Sequence, residues 1–200
     1  EMAITVTEVP QNQADAEKVL REQYGLEQKN SLPFAPTFSP VGLASLYGKI
    51  PTNMRLLVEN LMGKKTPITE DDFTNEELLQ MVTDLEKQGD GQPGTRVAIN
   101  SYGDVPRGVV DASYLDSIRK SFTDPQYNVA TSLGKYAAET LQDGYNIEDT
   151  YNFNRKERDL PMDLPSMLKR IRFSPELAGE YLANALGTPS RDVDIKLRKK

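Results

Sequence analysis

The predicted fold is organised around residues 128–154, NVATSLGKYAAETLQDGYNIEDTYNFN. Two runs that alternate polar and apolar residues lie on either side of Asp143-Gly144. Asp-Gly is a favoured pair for the two positive-φ positions of a type I′ turn, so the stretch predicts a β-hairpin. Because successive side chains of a strand point to opposite faces, five residues of the return strand share one face: Tyr145, Ile147, Asp149, Tyr151 and Phe153.

Asp149 is the unusual member of this face, since the other four side chains are aromatic or aliphatic. Either Asp149 lies at a strand end and reaches water, or it belongs to a functional site. A carboxylate, a phenol and an arginine (Arg155 or Arg158) near one strand end can bind a metal ion or a phosphate ester. The competing interpretation is that Tyr151 and Phe153 are core residues and that Asp149 caps a turn.

The composition excludes several kinds of site and argues against one class of partner. The chain has no cysteine, which excludes disulfides and thiolate metal sites, and no histidine, which removes the usual general base. A net charge of −6 argues against nucleic acid as the main partner. No apolar run approaches the roughly 20 residues of a membrane span. The basic residues Lys196 and Arg198-Lys199-Lys200 are expected to form a loose tail.

The periodicity of the whole chain predicts an α+β fold, in which a small antiparallel sheet with a central β-hairpin packs against several helices. The predicted elements are helices over 14–24, 51–62, 74–87 and 114–123, a strand over 95–102, the hairpin, two helices within 164–187 and a last strand over 192–197.

The second predicted helix is opened by Pro51 and is expected to turn one apolar side inward, formed by Met54, Leu57, Val58, Leu61 and Met62. The third begins with Thr74 and Glu77 at the spacing of a capping box. Five acids surround this start: Glu70, Asp71, Asp72, Glu76 and Glu77. Anions stabilise a helix N-terminus, and a divalent-cation site is the alternative, although no Asp-x-Asp-x-Asp-Gly loop is present.

The chain is expected to divide at residue 53. Residues 1–53 would form an N-terminal helix and a Pro-rich arm, and residues 54–200 the α+β domain. Residues 26–53 contain four prolines with aromatic residues between them. A free linker rarely contains aromatic residues, so this arm is expected to lie either on its own domain or on a partner. The opening Glu1-Met2 is consistent with a processed product or a piece of a longer chain.

The hairpin also carries a resemblance to a known family. Asp149-Thr150-Tyr151-Asn152-Phe153-Asn154 resembles the D-x-Y-D-F-N signature in the catalytic domain of colicin M-type bacteriocins, and the order of elements is similar over residues 54–197. The resemblance implies a magnesium-dependent phosphodiesterase that cleaves lipid II, the lipid-linked peptidoglycan precursor, in the bacterial periplasm. Asp149 would hold the metal ion, Tyr151 would position the substrate, and Arg158 or Arg155 would take the phosphate charge. Bacteriophage particle proteins with a D-T-Y-D-F-N hairpin are similar too, and they mostly lack an assigned activity.

Two positions depart from the catalytic signature. Asn152 falls where the colicin M family has its second aspartate, and an amide cannot ionise. The family's His-Arg pair falls near Arg158-Asp159, and no histidine exists in the chain. Losing a ligand carboxylate and a general base removes factors of roughly 10² to 10⁴ each. We therefore expect a non-enzymatic structural or interaction protein of a bacteriophage virion, without a cofactor. Its partners would be other virion proteins or copies of itself, and the magnesium-dependent lipid II phosphodiesterase is the alternative.

Overall fold

The computed structural model describes residues 13–27, 50–89, 91–101, 114–151 and 190–200. The predicted α+β class is confirmed. The elements are α1 (Gln13–Tyr24), α2 (Thr52–Leu61), a 3-10 turn (Glu70–Asp72), α3 (Asn75–Gln88), β1 (Arg96–Asn100), α4 (Tyr114–Thr123), α5 (Pro125–Leu133), β2 (Lys135–Leu141), β3 (Gly144–Tyr151) and β4 (Arg191–Arg198). The two helices predicted within 164–187, together with Phe153, Arg155 and Arg158, lie outside the described residues.

The four strands form one antiparallel sheet in the order β1-β2-β3-β4. The predicted hairpin, β2–β3, is its centre, where Ile147 lies opposite Ala138 on one side and Ile195 on the other. The inward positions of β3 and β4 join the apolar residues of α3 in one core cluster. The core therefore lies between this sheet face and α3, which also contacts α1 and α5.

The turn type predicted for Asp143-Gly144 is wrong. β2 ends at Leu141 and β3 begins at Gly144, so the two-residue loop is Gln142-Asp143, and neither residue has a positive φ. Gly144 has a φ of 147° inside β3, where a Cβ would lie 1.8 Å from the carbonyl oxygen of Leu197. Glycine is required here because the backbones of β3 and β4 approach closely, and not because of a type I′ turn.

Helix α3 begins as the sequence predicts. Thr74 Oγ1 accepts a hydrogen bond from Glu77 N at 3.3 Å, and Glu77 Oε2 accepts one from Thr74 N at 2.9 Å. This reciprocal pair is a capping box, which satisfies two backbone donors at the start of the helix. The predicted inward residues of α3 are all buried: Leu78, Leu79, Val82 and Leu85.

The inward face predicted for α2 is wrong for two of its members. Val58 and Met62 are 44% and 76% exposed, whereas Leu56 is fully buried. Polar contacts orient this helix, since Asn53 Nδ2 donates to Ser121 Oγ of α4 at 3.0 Å and to Thr131 Oγ1 of α5 at 2.9 Å. The spacing of apolar residues does not identify the inward face of a helix when that face includes buried amide side chains.

Residues 128–133 are helical, although their alternation predicts the first strand of the hairpin. Asp124 is the N-cap of α5, with its Oδ1 accepting from Tyr127 N at 3.1 Å, and Pro125 occupies the first turn. Gly134, with a φ of 65°, ends the helix, and β2 begins at the next residue. Asp-Pro stops one helix and also starts another, because proline is well suited to a first helical turn.

The C-terminal basic residues are held by the fold, so the expectation of a loose tail is wrong for them. Lys199 Nζ lies 3.1 Å from Glu86 Oε1 and 5.6 Å from the centroid of the Tyr24 ring. Lys200 N donates to the carbonyl of Gln23 at 2.7 Å. The end of β4 is thereby attached to α1 and α3.

Helix α1 belongs to the same packed unit as the sheet, because Tyr24 and Leu26 are members of the core cluster. Residues 28–49 lie outside the described part of the chain, so the division at residue 53 stays a prediction. Within the described ranges, no helix combines the length and apolar character needed to cross a membrane.

Candidate functional site

Asp149 and Tyr151, the two predicted site residues that the structure describes, lie near the end of the central strand β3. Asp149 is half-buried, and its Oδ1 accepts a hydrogen bond from Thr150 N at 2.7 Å. Tyr151 is 7% exposed and lies opposite Arg191 of β4. The predicted shared face therefore holds from Tyr145 to Tyr151, and the convergence of Asp149 with Arg158 stays a prediction.

Arg191 forms a buried ion network next to this strand end. Its side chain is fully buried, with Nε donating to Thr66 O at 3.0 Å and Nη1 to Glu59 Oε2 at 3.2 Å. Glu59 also pairs with Lys64 at 2.9 Å and with Arg55 at 3.2 Å. Burial alone would raise the pKa of Glu59, but Lys64 and the two arginines outweigh it and lower that pKa. Arg191 Nη2 is enclosed and has no hydrogen-bond partner in the described part of the chain.

Sequence reasoning missed Arg191 because it began the last strand at Asp192. Arg191 has the same parity as Val193 and Ile195, so a strand that starts one residue earlier places the guanidinium on the buried face. A buried charge needs a counter-ion, which here comes from α2 through Glu59.

The acidic run around the start of α3 is divided among separate contacts. Asp72 Oδ1 accepts from Arg55 Nη1 at 3.0 Å, and Glu76 pairs with Arg21 of α1. Glu77 belongs to the capping box. Among the residues that the structure describes, no three acidic side chains are grouped so that they could hold a metal ion.

A cleft of about 490 Å³ opens where the first turns of α2, α3 and α5 meet the end of α4. Its volume lies within the range of small-molecule pockets. The residues that line it are Ile50, Pro51, Thr52, Phe73, Thr74, Asn75, Glu76, Glu77, Ser121, Phe122, Thr123, Asp124, Pro125 and Asn128. Neither Asp149 nor Tyr151 is among them, so this cleft is separate from the predicted hairpin site.

Glu77 contributes a buried carboxylate to the cleft and is only 3% exposed. Its Oε2 accepts hydrogen bonds from Thr52 Oγ1 at 2.7 Å and from Thr74 N at 2.9 Å. Both bonds end on Oε2. Burial raises the pKa of Glu77, although the hydrogen bonds from Thr74 and Thr52 and the charge of Arg55 act in the opposite direction.

Asn128 contributes a second polar group and is 6% exposed. Its Nδ2 donates to the carbonyl of Ser121, while its Oδ1 is enclosed and has no hydrogen-bond partner in the described ranges. Sequence reasoning assigned Glu77 to a helix cap and gave Asn128 no role. The capping-box spacing was the only local signal at Glu77. It predicts a helix start but not the burial of Glu77 or the distant residues that complete the cleft.

Comparisons with known proteins give no assignment. No protein-family model, no curated protein sequence and no solved structure matches this chain.

Proposed function

We propose that this chain is a non-enzymatic structural and interaction protein, a component of a bacteriophage virion that contacts neighbouring chains. The observation that carries the proposal is the burial of the motif-bearing hairpin face. Tyr145, Ile147 and Tyr151 are all members of the hydrophobic core cluster. Tyr151, which belongs to the segment that resembles a catalytic signature, therefore serves the packing of the sheet.

The position of β3 supports this framework role. The strand is paired on both sides, with β2 and with β4, so its backbone groups are engaged in the sheet ladder. The Asp149 carboxylate accepts a hydrogen bond from the adjacent backbone N–H of Thr150. A carboxylate that orders the end of a strand contributes to shape without any bound ion.

The outer face of α2 supports the interaction role. Val58 and Met62 are one helical turn apart and are 44% and 76% exposed. Exposed apolar side chains that lie next to each other indicate an interaction surface, whereas a single exposed apolar side chain is common on any protein surface. Full burial of an exposed methionine side chain stabilises a contact by about 1.5–3 kcal/mol before the cost of association, and the half-buried Val58 would add less.

The assignment to a virion comes from the sequence. The D-T-Y-x-F-N hairpin is similar to that of phage particle proteins, and Asn152 and the lack of histidine separate the chain from the catalytic colicin M signature. The competing function is a colicin M-like phosphodiesterase, in which Asp149 would hold Mg²⁺.

Sedimentation velocity on the full chain over a concentration series tests the interaction role. We expect self-association that rises with concentration, and weaker association for a Val58→Ser, Met62→Ser double variant. Ala98→Ser, at an exposed position of β1, is the control and should associate like the unmodified chain. A chain that stays monomeric at all concentrations, or a double variant that associates equally well, would contradict this surface as the interface between copies.

Catalysis is tested separately by incubating the chain with lipid II and Mg²⁺. We expect no release of undecaprenol or of the pyrophosphate-linked headgroup. Turnover that disappears in Asp149→Ala would overturn the proposal in favour of the phosphodiesterase.

A further inference from the structure

The described lining of the cleft between α2, α3, α4 and α5 carries acidic side chains and no basic ones. Glu76, Glu77 and Asp124 line it, and no lysine or arginine is among the described residues that do so. Glu76 is paired with Arg21, whereas no ion pair within the described ranges holds Glu77. The cleft therefore favours a cation, and Glu77 is its deepest carboxylate.

The unsatisfied hydrogen-bonding position at the cleft is an acceptor. Asn128 Oδ1 lacks a partner in the described part of the chain, and Asn128 and Glu77 are both more than nine-tenths buried. A buried acceptor without a donor is unfavourable, so an occupant that brings N–H groups is stabilised here.

Apolar side chains also line the cleft. Ile50, Pro51, Phe73 and Phe122 supply hydrocarbon and two aromatic rings. A guanidinium group combines the required properties, because it is cationic, carries five N–H donors in a plane and stacks on aromatic rings. An ammonium group has fewer, non-planar donors and is more strongly hydrated.

We propose that this cleft receives the arginine side chain of a partner protein, with Glu77 as the counter-ion and Asn128 Oδ1 as a second acceptor. The identification of the partner as a protein rests on the interaction role proposed above, and on the charge complementarity between a chain of net charge −6 and a basic segment. The guanidinium pairs with the Glu77 carboxylate, and the aliphatic stem lies against Pro51 and Phe73.

The test uses N-acetyl-arginine amide as the probe and amide NMR spectra of the full chain as the readout. We expect saturable shifts at millimolar probe concentrations, confined to residues 74–77 and 121–128. N-acetyl-citrulline amide has nearly the same shape without the charge and should give no saturable shift. Absence of shifts with the arginine probe, or equal shifts with the citrulline probe, would overturn the proposal.

Two variants locate the contact. Glu77→Gln keeps an acceptor for Thr52 and Thr74 and removes the charge. We therefore expect it to lower the affinity for the arginine probe by about tenfold or more. Asn128→Ala should also lower the affinity for the arginine probe. This second variant keeps the proposal testable if Glu77→Gln folds poorly. Glu139→Gln makes the same chemical change at an exposed position of β2 and should bind the probe normally. Equal affinity of Glu77→Gln and Glu139→Gln would contradict the assignment of the counter-ion.

The outcome is separable from that of the proposed function. Sedimentation of the Val58 and Met62 variants and lipid II turnover do not involve the cleft. Self-association of the chain without binding of the arginine probe would contradict only the arginine site. Lipid II turnover that depends on Asp149 would contradict the non-enzymatic function, whether or not the probe binds.

Discussion

The close approach of β3 and β4 makes Gly144→Ala the most severe single change expected in the hairpin. Gly144 has a φ of 147°, and a Cβ there would lie 1.8 Å from Leu197 O and 2.9 Å from Leu197 C. Backbone strain at such a φ costs about 1–3 kcal/mol in a residue other than glycine. The clash is with backbone, which cannot rotate away, so β4 must shift. We expect a total loss of about 3–5 kcal/mol in the free energy of unfolding.

Gly94→Ala is the matched control, because Gly94 has a φ of 85° but no atom within 4 Å of the point where an alanine methyl group would lie. It isolates the cost of the left-handed conformation, which is about 1–2 kcal/mol. Urea unfolding of both variants, with equal m-values to the unmodified chain, measures the difference. If Gly144→Ala costs no more than Gly94→Ala, the neighbouring strand is not the reason that glycine is required, and the prediction is refuted.

Three further predictions concern the buried charges and the orientation of α2. Because burial raises the pKa of Glu77 above its ordinary value of 4.5, the folded state binds the proton more tightly than the unfolded state, and stability falls as the pH rises through the raised pKa. Glu77→Gln should therefore gain stability relative to the unmodified chain as the pH rises from about 4 to about 8 in thermal unfolding, and a constant difference would contradict it. Arg191→Met should cost more than about 2 kcal/mol in urea unfolding, since it leaves the Thr66 carbonyl and part of the Glu59 charge unpaired, and a neutral effect would show that the network contributes nothing. Leu56→Ala should cost about 2–5 kcal/mol, whereas Met62→Ala should change stability by less than about 0.5 kcal/mol; the reverse order would restore the apolar side that the sequence predicts for α2.

The parts of the fold that the sequence predicts well are those in which local signals and burial agree. One local rule predicts each of two elements that the structure confirms. The capping-box spacing of Thr74 and Glu77 predicts the start of α3, and the alternation of Val193, Ile195 and Leu197 predicts β4. The hairpin is predicted correctly as an element, although its glycine meets a different requirement from that of a type I′ turn.

The errors arise where distant residues decide the outcome. Helix α2 turns Leu56 inward and Val58 outward because Asn53 bonds to residues on α4 and α5. Hydrophobic periodicity within α2 contains no information about those partners. Helix α5 was not predicted because Asp124-Pro125 was interpreted only as the end of the preceding helix. The hydrogen bond from Tyr127 N to Asp124 Oδ1 shows that the same pair also begins α5.

The same reason explains which part of the candidate site was predictable. Asp149 and Tyr151 are two positions apart on one strand face, so alternation places them together. The cleft joins residues near position 51, near position 77 and near position 128, and their meeting depends on how three helices pack. The local sequence of Glu77 predicts a cap, and only the packed fold shows that this residue is buried and lines a cleft.

We propose that the Asp149–Tyr151 hairpin maintains a shape and carries out no reaction. The most direct test measures hydrolysis of radiolabelled lipid II by the full chain with Mg²⁺, alongside Asp149→Ala and a thermal unfolding curve for each protein. We expect no hydrolysis by either protein and a lower unfolding temperature for the variant. Hydrolysis by the unmodified chain that is lost in a folded Asp149→Ala variant would contradict the claim.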